Sequence, residues 1–295
     1  MVPASALSLH TAGLRFSATR HGDPDAPVVL CLHGFPDAPS TFRHQVGPLA
    51  EAGHCVITPT LRGYEPSSQP TDGDHTLLTM ASDVIGWLDH LGVERAHLIG
   101  HDWGAAIVGL AAARFPDRVE TAASLAIPAL PNIPTAVRKV PRQLLLSWYM
   151  TFFQLPAVPE RAIRAGDWRL VRRLWRTWSP GYELSADEWD ELRTQFDQPG
   201  VVTSALAYYR QNATPPILLG LRSTPATERA AVEPPMLFLY GSDDGCMDRR
   251  MFEHTIDEDD FPGGVRRVEL SGAGHFLHLE RPDAVKDALL DHLRR

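Results

Sequence analysis

What this sequence lacks narrows it first. No apolar run approaches the ~20 residues that span a bilayer, so a membrane-spanning protein is not expected. Positive charge is not in excess. A net charge of -8 argues against nucleic acid and anionic membranes as partners. Cysteine is scarce: Cys31, Cys55 and Cys246 are odd in number and far apart. That pattern excludes a disulfide framework and predicts reduced core thiols in a cytoplasmic protein. There is no His-Glu-x-x-His, no glycine-rich phosphate loop and no cysteine pair, so neither a metal nor a nucleotide cofactor is expected. Met1-Val2-Pro3-Ala4-Ser5 has no basic start leading into an apolar stretch, which predicts no signal peptide. No internal repeat, low-complexity tract or flexible linker is visible.

What is present is a chain of 295 residues, 44% of them hydrophobic, enough to bury a large core. Residues 6–20 alternate apolar and polar about Ala12-Gly13, a hairpin pattern. Val28–Leu32 is a continuous apolar run of the kind buried on both faces of a parallel sheet. Ser40 is expected to cap a helix running to about Gly53. Cys55–Thr58, Ala96–Ile99, Val119–Ile127, Met236–Tyr240 and Arg266–Leu270 read as further strands. Helices are expected over Thr76–Leu91, stopped by Gly92, over Ala105–Ala113 and over Asp283–Leu293. Strands alternating with helices predict an α/β fold with a mostly parallel, doubly wound sheet. From about Pro128 to Glu233 strand patterns vanish and Trp, Tyr and Arg become dense. We read 1–128 and 234–295 as two parts of one α/β core and 129–233 as an inserted helical cap.

The core centres on Gly100-His101-Asp102-Trp103-Gly104. A strand, a sharp turn and a helix meet there at one acidic residue, flanked two positions away by glycines that permit a tight turn. This is the shape of a nucleophile elbow with aspartate in the usual place of serine. An aspartate can displace at a saturated carbon and form an enzyme ester. Alone, the motif favours a helix cap, since Asp is a leading N-cap residue. Three partners favour the nucleophile. His275, in the loop Ser271–Phe276, is placed to activate water; His278 is the weaker competitor. In the loop Gly241–Asp248, Asp244 is preferred over Asp243 as the acid that orients the imidazole, while Asp248 reads as a helix start. The backbone N–H groups of Phe35 and Trp103 are expected to meet an oxyanion, Phe35 being restrained by Pro36 in His33-Gly34-Phe35-Pro36.

Together with Arg62-Gly63-Tyr64 and Gly272-Ala273-Gly274-His275, these motifs resemble the α/β-hydrolase fold, and specifically an epoxide hydrolase, over nearly the whole chain. Glu65 after Arg62-Gly63-Tyr64 departs from the family's usual glycine and predicts a changed loop path. In the cap, Tyr149–Gln154 and Tyr208–Asn212 resemble the segments that carry the family's paired tyrosines. By that match Tyr149 and Tyr209 hold the epoxide oxygen, as a phenol that can protonate an alkoxide would. Pro36, Phe152, Trp178 and Tyr208 are expected to line the substrate pocket. The resemblance implies conversion of a small apolar epoxide to a vicinal diol without a cofactor, and it leaves a homodimer open.

A haloalkane dehalogenase shares the Asp nucleophile and a following Trp, but its first loop resembles His-Gly-Asn-Pro, and Phe35 supplies no side-chain donor. Fluoroacetate dehalogenases resemble this chain at His33–Pro36 but carry Arg where Trp103 stands. A non-catalytic binding protein of the same fold would have no need of nucleophile, base, acid and both phenols together.

Overall fold

The computed structural model describes residues 4–295. The N-terminal expectation draws partly on Met1–Pro3, which lie outside them. One eight-stranded sheet carries the fold: β1 (Ala4–Thr11), β2 (Leu14–His21), β3 (Val28–Leu32), β4 (Cys55–Pro59), β5 (Ala96–His101), β6 (Val119–Leu125), β7 (Met236–Gly241) and β8 (Val265–Leu270). Their order is β1-β2-β4-β3-β5-β6-β7-β8. The pairs β1–β2 and β2–β4 are antiparallel. The others are parallel.

The strands follow from composition. Every residue of β3, β4 and β7 is buried, as runs of Val, Ile, Leu and Phe require when both sheet faces are covered. Two separate apolar clusters result, one holding Leu30, Leu32 and Leu98, the other Val29, Cys31 and Ile99. Consecutive strand residues thus alternate between the two. The β1–β2 turn uses Ala12 at φ 48° and Gly13 at φ 75°, the pair of positive φ values that a two-residue hairpin needs.

Two local expectations fail. Ser40 lies inside a 3₁₀ turn (Pro39–Phe42), and the α-helix covers only Val46–Glu51. Pro48 has no N–H to donate, and its ring would clash with the His44 carbonyl, so a helix through both residues would be kinked or broken. β6 ends at Leu125, two residues early, because Ala126 takes φ 66°.

Between β6 and β7 the described residues form helices and no strand. The longest helical span, Val158–Trp178, is interrupted at Ala165–Trp168, where Gly166, Asp167 and Trp168 all have positive φ. Among the described residues no helix is long and apolar enough to cross a membrane.

Parallel register brings the site's loops side by side. Leu32 pairs with Gly100, His101 with Leu125, Leu125 with Leu239, and Gly241 with Leu270. The loops that follow β3, β5, β7 and β8 therefore emerge at one edge, where ligands of such sheets bind.

Candidate active site

Asp102 occupies that edge at φ 50°, ψ -118°, a region costly for any residue with a Cβ. A side chain at Gly100 would collide with the Gly104 carbonyl, and one at Gly104 with the Leu32 carbonyl, so the elbow needs both glycines. Asp102 precedes the helix Trp103–Arg114, yet its carboxylate makes no capping bond to it. It reaches instead across to the loop after β3: the Phe35 N–H donates to Oδ1 at 2.8 Å. The helix-cap reading fails on that contact. A Cβ at Gly34 would overlap Asp102 itself, so glycine there lets the two loops meet.

The loop bearing Phe35 is fixed from both sides. The Leu61 N–H donates to His33 Nε2 at 3.1 Å, and His33 Nδ1 lies 3.1 Å from the Gly34 carbonyl. Burial pulls the His33 pKa down to about 4, so the neutral ring accepts at Nε2 and donates at Nδ1. Arg62 is held by a buried bidentate pair with Asp83, both contacts 2.6 Å. The Phe35-Pro36 bond is cis, and the Pro36 carbonyl accepts the Trp175 indole N–H at 2.9 Å.

His275 is fully buried. Its Nδ1 lies 2.9 Å from Asp244 Oδ2, and its Nε2 lies 3.5 Å from Asp102 Oδ2 with no hydrogen-bond partner. Asp244 Oδ1 accepts the N–H groups of Cys246 and Met247 at 2.6 and 2.9 Å. Asp243 is exposed and accepts only from Ser242. Asp248 accepts the Arg250 N–H at the start of the helix Arg250–Thr255. His278 meets the Thr41 hydroxyl and stacks on Phe42. Burial opposes charge on the His275 ring, but Cys246, Asp244 and Asp102 outweigh it and hold its pKa well above the usual histidine range.

Tyr149 and Tyr209 descend from two cap helices, Trp148–Phe152 and Val201–Asn212. Their rings meet edge to face at 5.7 Å. Tyr209 Oη has no partner, and Tyr149 Oη lies 3.3 Å from Cys246 Sγ. Burial pushes both phenols well above their usual pKa of 10, so each remains a donor. Asp102, Trp103, Tyr149 and Tyr209 line one cavity, walled otherwise mostly by apolar side chains such as Leu130, Ile133, Ile217 and Met247, with Asn212 and Thr227 as further polar residues. The Trp103 indole N–H is buried without a partner.

The four expected pocket residues are not among those that line this cavity. Tyr208, one residue from Tyr209, points elsewhere on its helix and donates to the Arg62 carbonyl at 2.6 Å. Phe152 lines a separate surface hollow with Trp148 and Leu170. Trp178 packs behind His275 and Tyr149, at 5.2 and 4.9 Å between ring centroids. Pro36 faces Trp175. Cys246, expected simply as a core thiol, is a lining residue. Gln143 also went unread: it donates to the Cys246 carbonyl at 2.9 Å and accepts from Asp248 N–H at 2.8 Å, steadying the loop of Asp244. Its only signal is an amide in the apolar run Leu144–Leu146. His101 is another, its Nε2 donating to the His275 carbonyl at 3.1 Å.

A strand-edge elbow, an acid–histidine pair on the following loops and a helical insertion define an α/β hydrolase. The profile of the α/β-hydrolase fold family matches residues 27–282. Epoxide hydrolase A of Mycobacterium tuberculosis is 30% identical over 96% of this chain and 95% of its own. Human epoxide hydrolase 4 is 30% identical over 96% of this chain and 76% of its own. The crystal structure of epoxide hydrolase A from Mycobacterium thermoresistibile superposes with a TM-score of 0.80 at 30% identity, covering 99% and 98% of the two chains. This chain belongs to the epoxide hydrolases of the α/β-hydrolase superfamily.

Proposed function

We propose that this protein converts a small apolar epoxide and water to a vicinal diol through an ester on Asp102. The observation that carries the proposal is the placement of Asp102. One carboxylate oxygen is held by the Phe35 N–H, the other faces His275, and two protonated phenols share its cavity. Asp102 Oδ2 attacks one epoxide carbon and the C–O bond breaks. Tyr209 and Tyr149 hydrogen-bond the departing oxygen, and a phenol proton neutralises it. Water then attacks the ester carbonyl carbon, giving its proton to His275 Nε2 while Asp244 holds the ring. The N–H groups of Phe35 and Trp103 receive the oxyanion; Trp103, as first residue of its helix, has an N–H free of intrahelical bonding. Collapse releases the diol as His275 returns its proton to the leaving oxygen, and the second water proton goes back to the phenolate, restoring Asp102, His275 and the tyrosine.

The electrostatics suit that order. Esterification removes the charge of Asp102, one of the groups that raise the His275 pKa. The imidazole therefore becomes a freer base once the ester exists and water must be activated. In this scheme residues 129–233 act as a cap that carries both phenols, and three free buried cysteines fit a cytoplasmic location.

The second reading is a haloalkane dehalogenase, favoured by one observation: the unpartnered Trp103 indole N–H in the cavity could meet a halide. Assaying styrene oxide beside a bromoalkane separates the two. Diol without halide release is expected; halide release without diol reverses the assignment.

A further inference from the structure

The helical insertion turns one face to the cavity and another to solvent, and the outer face has no part in that scheme. Among the described residues eight large apolar side chains are exposed, and five of them, Leu144, Leu145, Trp148, Leu155 and Val158, fall within fifteen consecutive positions. Leu145 keeps 75% of its surface in solvent. Single exposed leucines need no explanation, but a cluster marks a contact surface. Basic residues crowd the same stretch: residues 138–176 hold nine Arg and Lys against two Asp and Glu. The net charge of -8 describes the whole chain and not this face.

The fold brings the two kinds of side chain together. Trp148 and Phe152 share a surface hollow with Leu170 and with Arg169, Arg173 and Arg176 of the span Val158–Trp178. The Arg173 guanidinium lies over the Trp148 ring, 5.9 Å from its centroid. Among the described residues these three arginines join no ion pair, whereas Arg172 beside them pairs with Asp167. Unpaired guanidinium groups among exposed Leu and Trp suit a surface that is anionic and apolar at once. A bilayer with anionic headgroups is such a surface, its phosphates meeting the arginines and its acyl boundary the Leu and Trp side chains. A second copy of the chain fits poorly, because a two-fold contact through this face would set its arginines against themselves. Nucleic acid would satisfy the arginines and leave the leucines in water.

We infer that the outer face of the insertion, from Leu144 to Arg176, docks on anionic lipid bilayers. The docking helix is also a wall of the active site: Tyr149 and Met150 line the catalytic cavity, while Trp148 and Phe152 line the outer hollow. Docking sets that cavity one helix away from lipid in which an apolar epoxide dissolves. This delivery rests on the epoxide hydrolase reading; the docking does not.

Co-sedimentation with vesicles of phosphatidylcholine, alone or mixed with an equal amount of phosphatidylglycerol, tests the surface. Wild type is compared with the double variant Leu144→Ser, Leu145→Ser and with the triple variant Arg169→Gln, Arg173→Gln, Arg176→Gln. All five side chains are exposed, and turnover of a water-soluble epoxide, expected to be unchanged, checks that the variants fold. Wild type should bind mixed vesicles at low salt, release them as salt rises, and bind phosphatidylcholine at least about tenfold more weakly. Each variant should bind mixed vesicles at least about tenfold more weakly, each arginine being worth roughly fivefold. No binding to mixed vesicles, or equal binding by wild type and both variants, would overturn the surface. A wild type that ignores vesicles but forms a dimer lost in the leucine variant would overturn it too, in favour of a second copy. Docking by a protein that makes no diol would retain the surface and refute only the activity. Delivery is read with a long-chain epoxide dissolved in the mixed vesicles: wild type should consume it faster than either variant, and equal rates would overturn that role.

Discussion

The sheet and the helical insertion build their shares of this site by different means. On the sheet, backbone sets the chemistry. Parallel register aligns the strand ends, a strained φ turns Asp102 outward, and a backbone N–H meets its oxygen. In the insertion, side chains do so from helices that hold five of the chain's seven tryptophans. There, one residue of shift decides whether a tyrosine faces the cavity, as Tyr209 does, or a loop carbonyl, as Tyr208 does. The sheet half should therefore fail completely when one group is removed, and the insertion half by degrees.

The largest effect is expected on the sheet side. His275→Gln should lower steady-state turnover by about 10⁴-fold while leaving ester formation possible, so intact-mass measurement should find a chain heavier by one epoxide. Equal loss of both steps, with no adduct, would break the division of labour.

The tyrosines come next. Tyr209→Phe should slow ester formation by about 100-fold. Tyr149→Phe should cost less, because its hydroxyl is already shared with Cys246, whereas that of Tyr209 is unpartnered. Because burial raises both phenols above 10, they stay protonated as the pH climbs, and no loss of ester formation from tyrosine ionisation should occur below pH 10. An alkaline limb near pH 9 that vanishes in Tyr209→Phe would contradict this.

The smallest effects sharpen the comparison within the insertion. Ile217 lines the cavity and Phe152 does not. Ile217→Ala should lower kcat/KM about tenfold, the worth of a few lost apolar contacts. Phe152→Ala should change it by less than about threefold. The reverse ranking would move the substrate to the hollow beside Trp148.

The same contrast explains what could be read from the chain beforehand. Val28–Leu32 and Met236–Tyr240 are legible because a strand buried on both faces must be apolar throughout. Loop contents then follow from where strands end, which is why Asp102 and His275 stand out by position, whereas position only favoured Asp244 over Asp243, and it is Asp244 that lies 2.9 Å from His275 Nδ1. The helix expected after Ser40 was not refused by composition but by Pro48, acting on a residue four positions back. Facing directions in the insertion are harder. The helix of Tyr149 is five residues long, too short to establish a phase. The reversal at Gly166–Trp168 resets the phase before Trp178. Cys246 was legible as a buried thiol and not as a cavity wall, because its neighbours come from other loops.

The ester on Asp102 is the central claim, and oxygen-18 water tests it most directly. In a single turnover with enzyme in excess, the label should enter the Asp102 carboxylate, and the diol should leave unlabelled with an oxygen that began on the protein. Label in the diol and none in the peptide containing Asp102 would mean that water attacks the epoxide itself, and the covalent route would be wrong.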